Sequence, residues 1–194
     1  MIKTTAMIHE ALHEYRAPAN KLSRMVDQEE LFPIVRGLYE TNQNTPGYLL
    51  ASSIYGPSYL SFDFALSYYH LIPEAVYAFT SATYDKKKKK QFKTDFGTFM
   101  FQDVPKEVYP IGIRIVEEQG YAYLIAEPEK ALCDKIYTIS PLSSQKEIDN
   151  LLFHDLRIDV EEYEKLDKKK LEQYARLYCT TNHKLLVKML RRRK

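Results

Sequence analysis

The chain has 194 residues, of which 45% are hydrophobic and 28% are charged, and this composition excludes a largely disordered protein. Its length predicts one domain, or a small domain beside a medium one. No apolar run is long enough for a membrane-spanning helix, and the N-terminus lacks a signal-peptide core, so we expect a cytoplasmic protein without membrane contact. The two cysteines, Cys133 and Cys179, are far apart and predict reduced, buried thiols.

The net charge of +2 conceals an uneven distribution of charge along the chain. Residues 1–45 carry 5 basic and 6 acidic side chains, whereas residues 166–194 carry 10 basic and 2 acidic ones. A basic C-terminal segment suits a phosphate backbone or an acidic partner. A solvated helix surface explains the same composition equally well.

The first 45 residues show the order of elements of a winged helix-turn-helix. A helix is predicted over 3–14, and Pro18 interrupts it because the residue before proline leaves the helical region. A second helix is predicted over 19–26. Two β-prone runs then flank Arg36-Gly37, which indicates a hairpin over 31–40.

Residues 46–194 are predicted to form a mixed α/β domain with a small, mainly antiparallel sheet and a helical C-terminus, which makes the whole chain α+β. Ser61 is predicted to be an N-cap, and the lysine run 86–90 a solvated, mobile loop. The predicted strands are 77–83, 96–101, 111–116 and 121–125. The predicted helices are 46–55, 62–70, one starting at 127, and then 143–154, 159–165, 168–179 and 182–192.

Motifs for common enzyme chemistry are not found in the sequence. The glycines do not form a phosphate-binding loop, a dinucleotide fingerprint or a nucleophile elbow. Cysteine and histidine do not form a zinc-binding cluster, so we expect neither a metal nor a cofactor. Glu127, Glu129, Lys130 and Asp134 have helical spacing, which predicts surface ion pairs. The alternative is an acid–base group in a nuclease or transferase remnant.

Three blocks of sequence occur in an order that resembles the AbiEi antitoxin family of abortive-infection toxin–antitoxin systems, which are counted as type IV. The blocks lie within 21–39, 57–74 and 125–134. The second contains Pro-Ser-Tyr-Leu-Ser-Phe and the third Glu-Pro-Glu-Lys-Ala-Leu, and these two are fairly specific in combination. The resemblance covers about residues 18–138.

The resemblance implies a winged-helix domain over 1–45 that binds the promoter of its own operon. It also implies a domain over 46–194, without an enzymatic site, that counters a co-expressed nucleotidyltransferase toxin. This sequence departs from the family pattern because two helices, not three, precede the wing. The expected partners are therefore operator DNA and the toxin, and we expect a monomer or weak dimer.

Candidate DNA contacts follow from the helix-turn-helix interpretation, in which the second helix enters the major groove. Amide and basic side chains on that helix suit base edges, while basic residues in the turn, wing and tail suit phosphates. The candidates are Arg16, Asn20, Lys21, Ser23, Arg24, Arg36, Lys188, Arg191, Arg192 and Arg193. The alternative is a set of ordinary solvated surfaces on a protein-binding module that does not touch DNA.

Overall fold

The structure, a computed structural model, describes residues 1–192 and has a mixed α+β architecture. The strands are β1 (Ile2–Thr4), β2 (Phe32–Val35), β3 (Leu38–Glu40), β4 (Tyr59–Leu60), β5 (Ala78–Thr83), β6 (Lys90–Thr94), β7 (Gly97–Asp103), β8 (Ile113–Glu118) and β9 (Tyr121–Ala126). The helices are α1 (Thr5–Ala11), α2 (Pro18–Asp27), α3 (Ala51–Ile54), α4 (Phe62–Tyr68), α5 (Pro128–Tyr137), α6 (Gln145–Asn150), α7 (Val160–Lys165), α8 (Lys168–Tyr178) and α9 (Thr181–Arg192). Within this described range, no helix is long and apolar enough to cross a membrane.

The N-terminal unit runs β1–α1–α2–β2–β3, and its three strands form an antiparallel sheet in the order β1-β3-β2. The predicted helix over 3–14 is wrong at its start, because Ile2–Thr4 pairs with β3 instead. Thr4 then caps α1, its hydroxyl accepting a hydrogen bond from the Met7 amide at 3.2 Å. The unit has a small core of its own, formed by Ile8, Leu12, Leu22 and Leu31.

The β2–β3 hairpin has the predicted two-residue turn, because Val35 pairs with Leu38 and leaves Arg36-Gly37 at the tip. Gly37 has a φ of +84°, a conformation that glycine adopts without steric cost. Its carbonyl accepts a hydrogen bond from the Thr5 amide at 3.0 Å. The hairpin tip is therefore fixed against the start of α1.

The larger sheet has six strands in the order β6-β7-β5-β4-β9-β8. The expectation of a mainly antiparallel sheet is confirmed in part: three of its five pairings are antiparallel, but the sheet is mixed, because β5 pairs in parallel with β7 and β4 in parallel with β9. Two of these strands were not predicted. β4 has only two residues, and β6 begins inside the lysine run, where charge hides its alternation. Exposed Lys93 protects the β6 edge of the sheet.

Helix α5 lies at the centre of the larger core, with seven of its ten residues buried. It packs against α4, α8 and α9, and of these α8 and α9 belong to the helical C-terminus together with α6 and α7. Gly47 opens a 3-10 turn that lies directly on the sheet, since a Cβ atom there would come within 2.3 Å of the Phe79 ring. This close approach explains why the turn starts with glycine.

The two units are in contact around the start of the larger sheet. Ile34 belongs to the larger core, and Phe32 and Leu38 pack against it. Buried Glu40 accepts a hydrogen bond from the Tyr121 hydroxyl at 2.8 Å. The first unit therefore contacts the larger one through residues of β2 and β3.

The prediction of two buried thiols is half wrong. Cys133 on α5 is fully buried, but Cys179 is exposed. Cys179 links α8 to α9 with a φ of +55°, in the left-handed conformation that ends many helices. The exposure of Cys179 could not be predicted from the sequence, because this residue directly follows an apolar stretch of α8 and has the pattern of its continuation.

Candidate nucleic-acid interface and buried charged network

Helix α2 presents the predicted DNA-contacting side chains on one face. It starts at Pro18, which is suited to the first helical position because its missing N–H would have no partner there. Leu22 is buried in the small core, and Met25 and Val26 pack against that core. The opposite face is therefore directed away from the protein.

The four candidates on α2 lie on that outer face. Asn20, Ser23 and Arg24 are exposed, and Lys21 is half-buried. Within residues 1–192, Lys21 and Arg24 form no ion pair, so both charges are available to a ligand. The Ser23 hydroxyl donates to the Ala19 carbonyl at 3.3 Å, a bond within the helix that a contact with DNA would have to share or replace.

The two candidates outside α2 are at exposed positions of the same unit. Arg16 lies in the turn between α1 and α2, and Arg36 lies at the tip of the hairpin. Both are exposed. The turn, α2 and the hairpin thus each provide at least one exposed cation.

The basic tail is less free than its composition predicted. Lys188 and Arg192 are exposed on α9, but the Arg191 guanidinium donates from Nε to Glu172 of α8 at 2.9 Å. Arg193 lies outside the described residues. Met189 and Leu190, between these cations, are buried in the core, so the tail is the end of a packed helix. Only Lys188 and Arg192 remain as unpaired described candidates there.

The charged residues of α5 contradict the expectation of surface ion pairs. Lys130 is 1% exposed and Asp134 is completely buried, and their side chains form an ion pair at 2.7 Å. The Lys130 ammonium also lies 5.3 Å from the Tyr59 ring centroid and 5.0 Å from that of Tyr178. A charged pair withdrawn from water in this way requires several further polar contacts to be stable.

Those contacts come from three side chains in two distant segments of the chain and converge on the Asp134 carboxylate. Tyr59 donates to Oδ2 at 3.0 Å and Ser61 donates to the same oxygen at 2.7 Å. Tyr178 donates to Oδ1 and contacts the Lys130 ammonium as well. Ser61 is the N-cap residue of α4, as predicted, but its side chain makes no capping hydrogen bond to the helix, because its hydroxyl donates to Asp134 instead. Burial and the Asp134 charge raise the pKa of Tyr59 and of Tyr178 well above the usual value.

His183 of α9 completes this buried region, and no sequence motif marks it. Its ring stacks on Tyr178 at 4.3 Å between centroids and 7° between planes. Nε2 lies 3.0 Å from the Cys133 carbonyl oxygen, which can only accept, so Nε2 carries the proton. Burial lowers the pKa of His183 to about 4, so the ring is neutral at pH 7.

The remaining carboxylates of the acid–base alternative are also held by helix α8. Buried Glu129 accepts a hydrogen bond from the Asp167 amide at 2.8 Å. Glu127 accepts hydrogen bonds from Lys170 and Tyr174 at 2.9 and 2.7 Å. Burial alone raises the pKa of Glu127, but these two hydrogen bonds outweigh it and hold the pKa below its usual value. These contacts tie α8 to the start of α5.

The lysine run is a solvent-exposed loop over 86–89, as predicted, and its start is held by hydrogen bonds. The Asp103 carboxylate accepts hydrogen bonds from the backbone amides of Lys86 and Lys87, both at 2.7 Å. Lys90 is already the first residue of β6.

No cluster of three or more His, Cys, Asp or Glu side chains within residues 1–192 has the arrangement to hold a metal ion.

Comparison with known proteins finds no protein-family model that matches this chain and no curated protein sequence that matches it.

Proposed function

We propose that this protein is a DNA-binding transcriptional autorepressor and the antitoxin of a type IV toxin–antitoxin system, acting in the cytoplasm. The observation that carries the proposal is the exposed polar face of α2, placed directly before a hairpin whose tip is Arg36. In a winged helix-turn-helix, the helix before the wing enters the major groove and the wing reaches the backbone or minor groove.

The strand order of the N-terminal unit supports this assignment. The strands β1-β3-β2 form one sheet, and α1 and α2 pack against each other around the small core, to which α2 contributes Leu22. Asn20 and Arg24 then have the chemistry to read adenine and guanine, respectively, while Arg16 and Arg36 have the chemistry to bind phosphates. The unit carries these groups without a third helix before the wing.

The antitoxin half of the proposal is supported by where the second and third resemblance blocks meet. Tyr59 and Ser61 belong to the block within 57–74, and Asp134 belongs to the block within 125–134. Their hydrogen bonds join the two blocks inside the protein. The sequence similarity to the AbiEi family therefore falls on residues that build one structural unit.

A gel-shift titration tests DNA binding. The full chain is titrated against the duplex upstream of its own reading frame and against a scrambled duplex of equal length and composition. We expect tighter binding to the native duplex at moderate salt. Equal affinity for the two duplexes would contradict the repressor assignment.

A separation-of-function experiment tests the antitoxin assignment. The full chain and its Lys21→Ala/Arg24→Ala variant are each co-expressed with the nucleotidyltransferase encoded by the neighbouring reading frame. We expect both proteins to restore growth, because the two substitutions are outside the larger domain, while only the wild type represses a promoter reporter. Growth arrest with both soluble proteins would refute the antitoxin role without affecting the DNA-binding result.

A further inference from the structure

Two adjoining clefts lie along the lysine run, and no residue of α2 lines either of them. One cleft of about 640 Å³ lies between Lys87–Lys89 and the ends of α5 and α9, where Tyr137, Thr138 and Thr181 line it. A second cleft of about 500 Å³ is lined by Lys90, Gln91 and Lys135, among others. The two clefts share Lys89, Gln102 and Thr138 in their linings and are therefore neighbours, and together we name them the lysine groove.

The lysine groove has a strong excess of positive charge. Within the described residues, the ammonium groups of Lys87, Lys88, Lys89 and Lys90 form no ion pair. The carboxylates that line the groove are already engaged. Asp63 pairs with Lys135 at 2.6 Å, and Asp103 binds the Thr83 hydroxyl and two backbone amides. Four unneutralised cations therefore face a ligand that enters the groove.

The backbone that carries these lysines is held in place before any ligand binds. Asp103 fixes the amides of Lys86 and Lys87, as described above. The Lys86 ammonium donates to the Gly56 carbonyl at 3.1 Å and lies 5.2 Å from the Tyr55 ring centroid. A fixed backbone reduces the conformational entropy that the loop loses on binding.

The groove also offers groups that recognise more than charge. Tyr137 is 37% exposed and Met100 is 43% exposed, and both line it. The amide side chains of Gln91 and Gln102 add hydrogen-bond donors and acceptors. A positively charged channel with an exposed aromatic ring is the usual way in which proteins bind single-stranded nucleic acids.

We propose that the lysine groove binds a single-stranded segment of RNA or DNA, with the lysines on its phosphates and Tyr137 stacked on a base. A duplex keeps its bases stacked inside and cannot present them to Tyr137. An acidic peptide would pair with the lysines but would gain little from the aromatic and amide groups. The site is separate from the proposed operator-binding surface on α2.

Fluorescence anisotropy of the full chain with labelled oligonucleotides tests the proposal. The probes are a short oligouridylate RNA, an oligothymidylate DNA of equal length, and a poly-glutamate peptide of similar charge. The groove variant is Lys88→Gln/Lys89→Gln, and the matched control is Lys146→Gln/Lys169→Gln, which removes two exposed lysines without ion pairs elsewhere on the surface. Thermal melting of both variants confirms that they remain folded.

We expect the groove variant to bind both oligonucleotides at least tenfold more weakly than wild type and the control to bind as wild type does. Two lost phosphate contacts should also lower the slope of log affinity against log salt by about 1.4. Tyr137→Leu should weaken binding without changing that slope, because stacking releases no counterions. A preference for either RNA or DNA supports the proposal and identifies the strand.

Equal affinities of wild type, groove variant and control would overturn the proposal, and so would binding of poly-glutamate as tightly as the oligonucleotides. Lys21→Ala/Arg24→Ala serves as the reciprocal control. We expect it to lose operator binding and keep single-strand binding. Failure of the operator experiment with retained single-strand binding would thus refute the proposed repressor function and leave the lysine groove intact.

Discussion

Helices α2 and α5 have the same length and the same opening residue, but they differ completely in how they place charge. Each has 10 residues and begins with proline. In α2, Leu22 is the one buried residue, and Lys21 and Arg24 are accessible. In α5, both Lys130 and Asp134 are buried.

The difference comes from what surrounds each helix. Helix α2 packs on α1 through Leu22, and its outer face is exposed to solvent. Helix α5 is enclosed by α4, α8 and α9, and its charges are stable there only because Tyr59, Ser61 and Tyr178 supply hydrogen bonds. Residues that are remote in sequence therefore determine whether a charged side chain on a helix is exposed to a ligand or buried in the core.

The largest effect is expected from breaking the buried pair. Asp134→Asn leaves the Lys130 ammonium buried without a counterion, and we expect the free energy of unfolding to fall by about 3–5 kcal/mol. The matched change on α2 is Asp27→Asn, which is exposed and should alter stability by less than about 0.5 kcal/mol. Urea denaturation of the two variants measures both values. Similar losses in the two helices would refute the contrast.

The next largest effect is expected on the pH dependence of stability, through His183 of α9, which packs beside the Lys130–Asp134 network. The pKa of His183 is lowered to about 4 in the folded state from an ordinary value of 6.5, so the unfolded chain takes up the proton first as pH falls. Stability should be complete above pH 6.5 and decline towards pH 4 by about 3 kcal/mol. His183→Gln should flatten this part of the curve, whatever its effect at pH 7. An unchanged slope between pH 6.5 and 4 would show that other groups dominate.

A smaller effect is expected from single substitutions on the exposed helix. Arg24→Ala should weaken operator binding by about 1–3 kcal/mol and reduce discrimination at one base pair, if this side chain reads a base. Arg36→Ala should lower the affinity for the native and the scrambled duplex equally, since a phosphate contact carries no sequence information. Competition gel shifts with single-base operator variants separate the two outcomes. Neither substitution should change the melting temperature, because both residues are exposed.

The smallest effect is expected at the C-terminal helix. Truncation from residue 189 would remove buried Met189 and Leu190, so point substitutions are the sharper test. Lys188→Gln/Arg192→Gln should lower the slope of log affinity against log salt for duplex DNA by up to about 1.8 if both contact phosphates. An unchanged slope would assign the tail to ordinary solvated surface. Arg191→Gln is the internal control, since Glu172 already holds that charge.

The amphipathic parts of the fold could be predicted from sequence, and the parts that depend on pairing could not. The apolar stripe of Leu22, Met25 and Val26 predicted α2, and Gly37 predicted the hairpin; the structure confirms both elements. β4 was missed because two residues have no periodicity, and β6 because lysines mask it. The two parallel pairings are set by chain crossovers, which a local pattern does not contain.

The candidate sites divide in the same way. The exposed face of α2 follows from helical spacing alone, so Asn20 and Arg24 could be placed. The network around Asp134 could not, because its donors lie about 45 to 75 residues away along the chain. The apolar run Ala131-Leu132-Cys133 between Lys130 and Asp134 was the signal in the sequence that this pair is enclosed.

The left-handed residue between α8 and α9 gives this chain a built-in attachment point for a spectroscopic label. Cys179 is exposed, whereas burial raises the pKa of the Cys133 thiol and shields it from reagents. A maleimide dye should therefore modify one thiol in the folded protein and both in denaturant. Because Thr180 and Thr181 follow Cys179 directly and line the lysine groove, a fluorophore there lies beside that groove. Its emission would follow oligonucleotide entry in the natural sequence, without an introduced cysteine.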